Sequence, residues 1–127
     1  MSRILVLYAG KDPKKLLKRA SEIYSEGDDV IVLLVTPQGG NANLVPLEEN
    51  TYPRMKEALE YLENEGIKAS AIVARGDLVD ELISVCGDVG CDIVIVPAED
   101  VKCGPFHIGN VYRSIIGKVK AVVMSVE

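Results

Sequence analysis

The side chains best suited to chemistry in this chain gather in one segment, Ala98 to Asn110 (AEDVKCGPFHIGN). It holds two carboxylates (Glu99, Asp100), Lys102, the thiol of Cys103, the chain's one histidine (His107) and the pair Gly109-Asn110. Cys103 and His107 stand in C-x3-H spacing, which suggests a metal, but two ligands do not make a structural zinc site. Cys86 and Cys91, which fall on other elements, read as small core residues. Cys103 is a candidate redox-sensitive thiol, although neighbouring carboxylates disfavour the reactive thiolate. Cys103 is also the sole nucleophile that His107 could serve, and no further residue completes such a dyad. Lys11, Lys102 and Arg113 form another arrangement, three cations that would together neutralise an anion.

These residues need a frame, and the preceding stretch Val73 to Pro97 (VARGDLVDELISVCGDVGCDIVIVP) supplies it. It reads as a Gly-Asp turn, a helix capped by Asp77 with the buried stripe Leu78, Leu82 and Val85, and a strand Ile93–Val96. In an open parallel sheet the loop leaving such a strand is where a phosphate would be held. Glycines let backbone N–H groups approach a phosphate, and this loop has only Gly104 and Gly109. Glu99 and Asp100 would repel a polyphosphate unless a metal intervened.

The rest of the chain repeats the strand–helix pattern. Ile4–Tyr8 and Val30–Val35 are continuous apolar runs, as strands buried on both faces require. Between them Asp12-Pro13 opens a helix with the stripe Leu16, Ala20, Ile23, and Gly27 ends it. Thr36 to Asn50, with Pro37 and Gly39-Gly40, reads as a long mobile loop. Pro53 opens a second helix lined by Tyr52, Met55, Leu59 and Leu62, and Gly66 closes it before a strand Ile67–Val73. Val111 and Ile115, with Ile108, mark a fourth helix, and Ala121–Val126 a fifth strand. The fold class expected is α/β: an open five-stranded parallel sheet in the order 3-2-1-4-5, with helices on both faces, across residues 1–127 as a single domain. Ligand contacts should come from Ala9–Asp12 and Pro97–Asn110, with Thr36 nearby.

Composition narrows the function classes. At 127 residues, 48% apolar and a net charge of −5, the chain suits one globular core and lacks the basic stripe of a nucleic-acid binder. The basic run Lys14, Lys15, Lys18, Arg19 reads as the solvated face of a helix. Three cysteines show no disulfide framework. No leader or membrane-length apolar segment is visible, so a soluble cytoplasmic protein is expected. Gly10-Lys11-Asp12 is not a phosphate loop, since it has neither the upstream glycine nor the Ser/Thr. The first strand ends without a receiver domain's acidic pair, and its turn lacks a flavodoxin's hydroxyls.

Read in order, these pieces resemble the universal stress protein family over nearly the whole chain. Ile4 to Lys11 (ILVLYAGK) follows the family's I-L-V-P-x-D-G-S, and Gly76-Asp77 through Ile83 with Asp92–Pro97 follows its third helix and fourth strand. Gly109-Asn110-Val111 through Val123 follows its G-S-V…P-V-L-V-V ending. The resemblance implies a Rossmann-like, adenine nucleotide alpha hydrolase-like fold and a homodimer through strand Ala121–Val126. It also implies an ATP site built from G-x2-G-x9-G-[ST] and an aspartate after the first strand. This chain departs there: Pro97 stands for the first glycine, the second is missing, the loop is one residue shorter, and Ala9 and Lys11 replace aspartate and serine. Gly10, Lys11, Thr36, Gly109 and Asn110 remain as the candidate cofactor crevice. Gly10 and Asn110 have a plainer reading too, as a tight turn and a helix cap. The reading is therefore a non-catalytic, dimeric stress-response or regulatory protein with a degenerate nucleotide site, no bound cofactor and an unidentified protein partner. Its alternative is a binder of ATP, AMP or another small anion through the divergent loop.

Overall fold

The computed structural model of the chain describes residues 1–36, 47–103 and 106–127, the side chains of 47–51, 103 and 106 apart. In chain order its elements are β1 (Arg3–Leu7), α1 (Lys14–Ile23), β2 (Asp29–Thr36), α2 (Leu47–Asn64), β3 (Ala69–Arg75), α3 (Leu78–Val89), β4 (Ile93–Pro97), β5 (Asp100–Cys103), β6 (Phe106–Asn110), α4 (Val111–Ile115) and β7 (Val122–Val126). Five strands form one parallel sheet, ordered β3-β2-β1-β4-β7, which is the order read from the sequence.

The alternation of side chains across a strand divides the core in two. Ile4 and Val6 of β1, with Tyr8 just past its end, pack with Leu16, Leu17 and Ala20 of α1 and Ala58 and Leu62 of α2 on one face. Leu5 and Leu7 pack with Leu78, Leu82 and Val85 of α3 and Val111 and Ile115 of α4 on the other. β1 therefore sits at the centre of the sheet with apolar residues on both sides, which is why its sequence is unbroken by polar residues.

Several local expectations give way to other solutions. α1 starts at Lys14 with Pro13 at the cap position and no side-chain cap, so Asp12 offers only its carbonyl, to Lys15 N–H at 3.4 Å. α1 ends at Ile23, where Tyr24 becomes extended, and Gly27 serves the following Ser25–Asp28 turn instead. Pro53 lies inside α2 rather than at its start, and the helix continues through it at the loss of one backbone bond. Tyr52 is 55% exposed; the buried stripe is carried by Ala58 and Leu62, with Met55 and Leu59 partly covered. Ile67 caps α2 by donating its N–H to Leu62 O at 2.8 Å, so β3 begins later, at Ala69. Asp77 caps α3 through Asp80 N–H at 2.9 Å, as expected. Of the loop expected over Thr36–Asn50, residues 37–46 lie outside the described residues.

Cys86 and Cys91 lie in the core as expected, but they are joined in a disulfide, which corrects the expectation of no disulfide framework. Spacing explains it. The last turn of α3 closes with Gly90 in the left-handed region and both Gly90 and Cys91 N–H donating to Cys86 O, which folds Cys91 back over Cys86 with Cα atoms 5.1 Å apart. Arg3 holds the same corner: its N–H donates to Asp92 Oδ2 at 2.8 Å and its guanidinium to Val89 O.

Two predictions follow from these fastenings. The short loop closed by the disulfide should contribute about 2 kcal/mol, so dithiothreitol should lower Tm by roughly 5–10 °C. An unchanged Tm in fully reduced protein would refute this. Asp28 accepts N–H bonds from Ser2 at 2.8 Å and Ser25 at 2.9 Å, which hold its carboxyl below the ordinary 3.8. A depressed folded-state value stabilises above the ordinary one and is lost as pH falls through the lowered one. In urea melts, Asp28→Asn should be less stable than the parent at neutral pH and should show a flatter decline below pH 3.8.

Candidate functional site

The exits of β1 and β4, adjacent strands, close on each other at Gly10. Beyond β1 the Tyr8 N–H donates to Leu33 O at 2.9 Å and the Ala9 N–H to Leu7 O at 3.0 Å, turning the chain sharply. Gly10 then takes a φ of +94°. A Cβ there would lie 2.7 Å from Glu99 Oε1 and 3.3 Å from Pro97 Cβ. The left-handed backbone calls for glycine, and Pro97 Cβ adds a tight neighbour, whereas the Glu99 carboxylate, at the end of a flexible side chain, can give way.

Glu99 is the group that makes the approach close. Its Oε1 is shielded from solvent and takes part in no hydrogen bond. Lys15 Nζ, from the first turn of α1, lies 3.5 Å away as an ion pair, with both side chains about three-quarters covered (28% and 26% exposed). An anion approaching the Gly10 backbone therefore meets a carboxylate already in place.

Beyond β4 the segment expected to be an open loop is an antiparallel hairpin. β5 and β6 pair Asp100 with Asn110, Val101 with Gly109, Lys102 with His107 and Cys103 with Phe106. Ile108 is the extra residue of a bulge, so it belongs to β6 and not to α4. Val101 is buried in the α3–α4 core, which anchors the hairpin. Backbone groups that a phosphate loop would leave free are here spent partly on the ladder.

The expected crevice residues meet only in part. Asn110 adjoins the Gly10 corner, but both ends of its amide are engaged: Oδ1 accepts the Arg113 N–H at 3.0 Å, and Nδ2 donates to Ala98 O at 3.1 Å. It caps α4 and ties β6 to the β4 exit. Gly109 has φ of +85° with nothing near its missing Cβ, so it serves the bulge and not a close approach. Thr36 ends β2, where its hydroxyl donates to Ala74 O at 3.4 Å. Lys11 is exposed beside Gly10, while Lys102 and Arg113 are exposed on the hairpin and α4. No contact among these three cations is found among the described residues.

Other candidates fare similarly. His107 Nε2 lies 3.8 Å from Asp100 Oδ2 across the hairpin, with both side chains more than half exposed, so they form no desolvated acid–base pair. The Cys103 side chain lies outside the described ones. Among the described residues no group of three or more His, Cys, Asp or Glu is arranged to hold a metal. No described helix is long and apolar enough to cross a membrane. At the opposite, amino end of the strands lies an open depression of about 510 Å³ lined by Arg3, Asp29, Lys68 and Ser70.

Sequence reasoning missed two features. Lys15 was grouped with a solvated basic face, yet it is the counter-ion of Glu99; a cation in the first turn after β1 and an acid just after β4 was the available signal. Tyr8 is buried under Arg54, whose guanidinium lies 5.5 Å from the ring centre and donates to Tyr8 O at 2.9 Å. Burial, then Glu57, pushes the Tyr8 phenol up, against the opposing pull of Arg54 and Lys14. Lys14 bridges to Glu57 at 2.9 Å, and that bond raises its own pKa while joining α1 to α2.

In urea denaturation Gly10→Ala should cost roughly 1–3 kcal/mol, from positive φ and the tight contact with Pro97. Asn110→Ala should cost about 1 kcal/mol or more through the lost cap. A neutral Gly10→Ala would mean that the corner is not closed.

No curated protein matches the sequence. Solved structures of other proteins share the fold, among them these three. A universal stress protein from Archaeoglobus fulgidus is 17% identical at a TM-score of 0.79, covering 100% of this chain and 94% of the other. The universal stress protein from Archaeoglobus fulgidus in complex with dAMP is 15% identical at 0.69, covering 100% and 98%. A universal stress protein family protein from Arabidopsis thaliana with AMP bound is 13% identical at 0.70, covering 99% and 91%. The universal stress protein family model matches residues 1–127. With its sheet order, capped third helix and shared architecture, the chain belongs to the universal stress protein family.

Proposed function

We propose that this chain is a non-catalytic, dimeric, cytoplasmic regulatory protein of the stress response whose nucleotide crevice is degenerate and which acts through protein contacts. The observation that carries the reading is the carboxylate of Glu99 lodged against Gly10, at the corner where the exits of β1 and β4 meet. The engaged amide of Asn110 and the paired hairpin support it, because each removes a donor that a phosphate would use. Of the five candidate residues, Gly10 and Lys11 border this corner and Asn110 braces it, while Thr36 and Gly109 serve neighbouring strands.

The dimer reading rests on the sheet edge. β7 is an edge strand with Val122 65% exposed, and Ile116, just before it in the chain, is 50% exposed. An apolar edge of this kind is ordinarily covered or paired, and a second copy running antiparallel would pair it symmetrically. Light scattering should give twice the 13.7 kDa chain mass at micromolar concentration, and Val122→Lys should shift it toward the monomer. A monomeric parent would end this part of the proposal.

A second reading, binding of AMP or ATP through the divergent loop, is favoured by the AMP- and dAMP-bound relatives and by Lys11 beside the left-handed Gly10. A thermal-shift titration with ATP, ADP and AMP, with and without magnesium, separates the two. A ligand present at 100 times its Kd stabilises the folded state by about 2.7 kcal/mol, a readily seen rise in Tm. The degenerate-site reading predicts no rise at millimolar nucleotide; a saturable rise would establish the second.

A further inference from the structure

We infer that Glu99 is a built-in stopper of the crevice: its carboxylate occupies the space against Gly10 that the phosphate of a mononucleotide would need. The inference rests on the degenerate-site reading above and names the residue responsible for it. Geometry makes the case in three parts. Glu99 Oε1 lies close enough to the Gly10 backbone that even a methyl group would collide with it at 2.7 Å. The atom is closed off from solvent, so the space is filled rather than merely screened. Lys15 holds the carboxylate from the first turn of α1, a helix whose first turn has no acid and no side-chain cap of its own.

The arrangement resembles an anion site with its anion supplied by the chain. A helix start favours negative charge, and the turn glycine gives close access to backbone. Lys15 is the cation that such a charge would pair with, and Glu99 satisfies it intramolecularly. A ligand phosphate must displace the carboxylate or sit beside it, and like charges a few ångströms apart repel strongly where water is partly excluded. Asp100, one residue further on, carries the same charge but is well exposed, with its side chain turned toward His107. It therefore serves as a control for position against charge alone.

The test is binding of AMP and of inorganic phosphate to the full chain and to Glu99→Ala, Glu99→Gln and Asp100→Ala. Binding is followed by thermal shift and by the backbone amide NMR signal of Gly10. The parent and Asp100→Ala should show neither a shift in Tm nor movement of the Gly10 signal at millimolar AMP. Glu99→Ala and Glu99→Gln should bind AMP at least roughly tenfold more tightly than the parent, with the Gly10 signal moving on saturation. A gain for inorganic phosphate as well would identify phosphate recognition as what Glu99 blocks. A gain for AMP alone would mean that the nucleoside adds to binding, and it supports the stopper equally. If both Glu99 variants fold and remain silent toward AMP and phosphate while the parent is silent too, the stopper is wrong and the degenerate-site reading stands. If Asp100→Ala gains as much as Glu99→Ala, position is irrelevant and the inference also fails. If the parent itself binds AMP through Gly10, the degenerate-site reading and the stopper fall together.

Discussion

Everything in this fold depends on β1 being buried from both sides. Ile4, Val6 and Tyr8 face α1 and α2 while Leu5 and Leu7 face α3 and α4, and all five are essentially inaccessible to solvent. A strand so enclosed must have parallel neighbours in register on both edges, and β2 and β4 supply them. Removing a leucine or isoleucine side chain from such a position costs on the order of 2–5 kcal/mol, so the centre tolerates little variation. The exits of β1 and β4 are thereby fixed side by side, and the loops that leave them must either hold a ligand between them or close on each other.

In this chain Glu99, from the β4 exit, lies against Gly10, from the β1 exit. Pro97, Glu99 and Gly10 are in contact or nearly so, and Asn110 spans from α4 to Ala98 O across the base of the hairpin. Val101 plants the hairpin in the core, so the segment has become part of the packed structure. The fold shared with the relatives solved with AMP and dAMP carries in this chain a carboxylate–lysine pair where the β1 and β4 exits meet. A largely covered ion pair of this kind contributes little net stability, since the desolvation of both charges offsets their attraction. Its consequence is occupancy of the corner.

What the sequence made legible follows from how local each signal is. The strand order and the layered helices were readable because buried parallel strands are continuous apolar runs and the helix stripes repeat at 3.6-residue spacing. The Asp77 cap was readable because a cap is a contact between near neighbours. The hairpin was not, because Val101 is held by burial against α3 and α4, which no local pattern records. Nor was the Cys86–Cys91 disulfide, since its geometry arises only when the left-handed Gly90 folds the end of α3 back on itself. Gly109 and Asn110 were noticed for the right residue types, yet the bulge and the Ala98 bond that engage them are tertiary facts. The two carboxylates after β4 stood out in the sequence as charges a polyphosphate would meet; that Lys15 would hold one of them in place required the fold.

The most direct test of a closed crevice is amide hydrogen exchange across Ala98–Asn110, with and without ATP. The structure predicts that ladder amides of β5 and β6 are protected in the ligand-free protein and that ATP leaves their rates unchanged, because they are already paired. Exchange at the rate of an open loop, slowed by ATP, would contradict the account and restore the segment as a phosphate-binding loop.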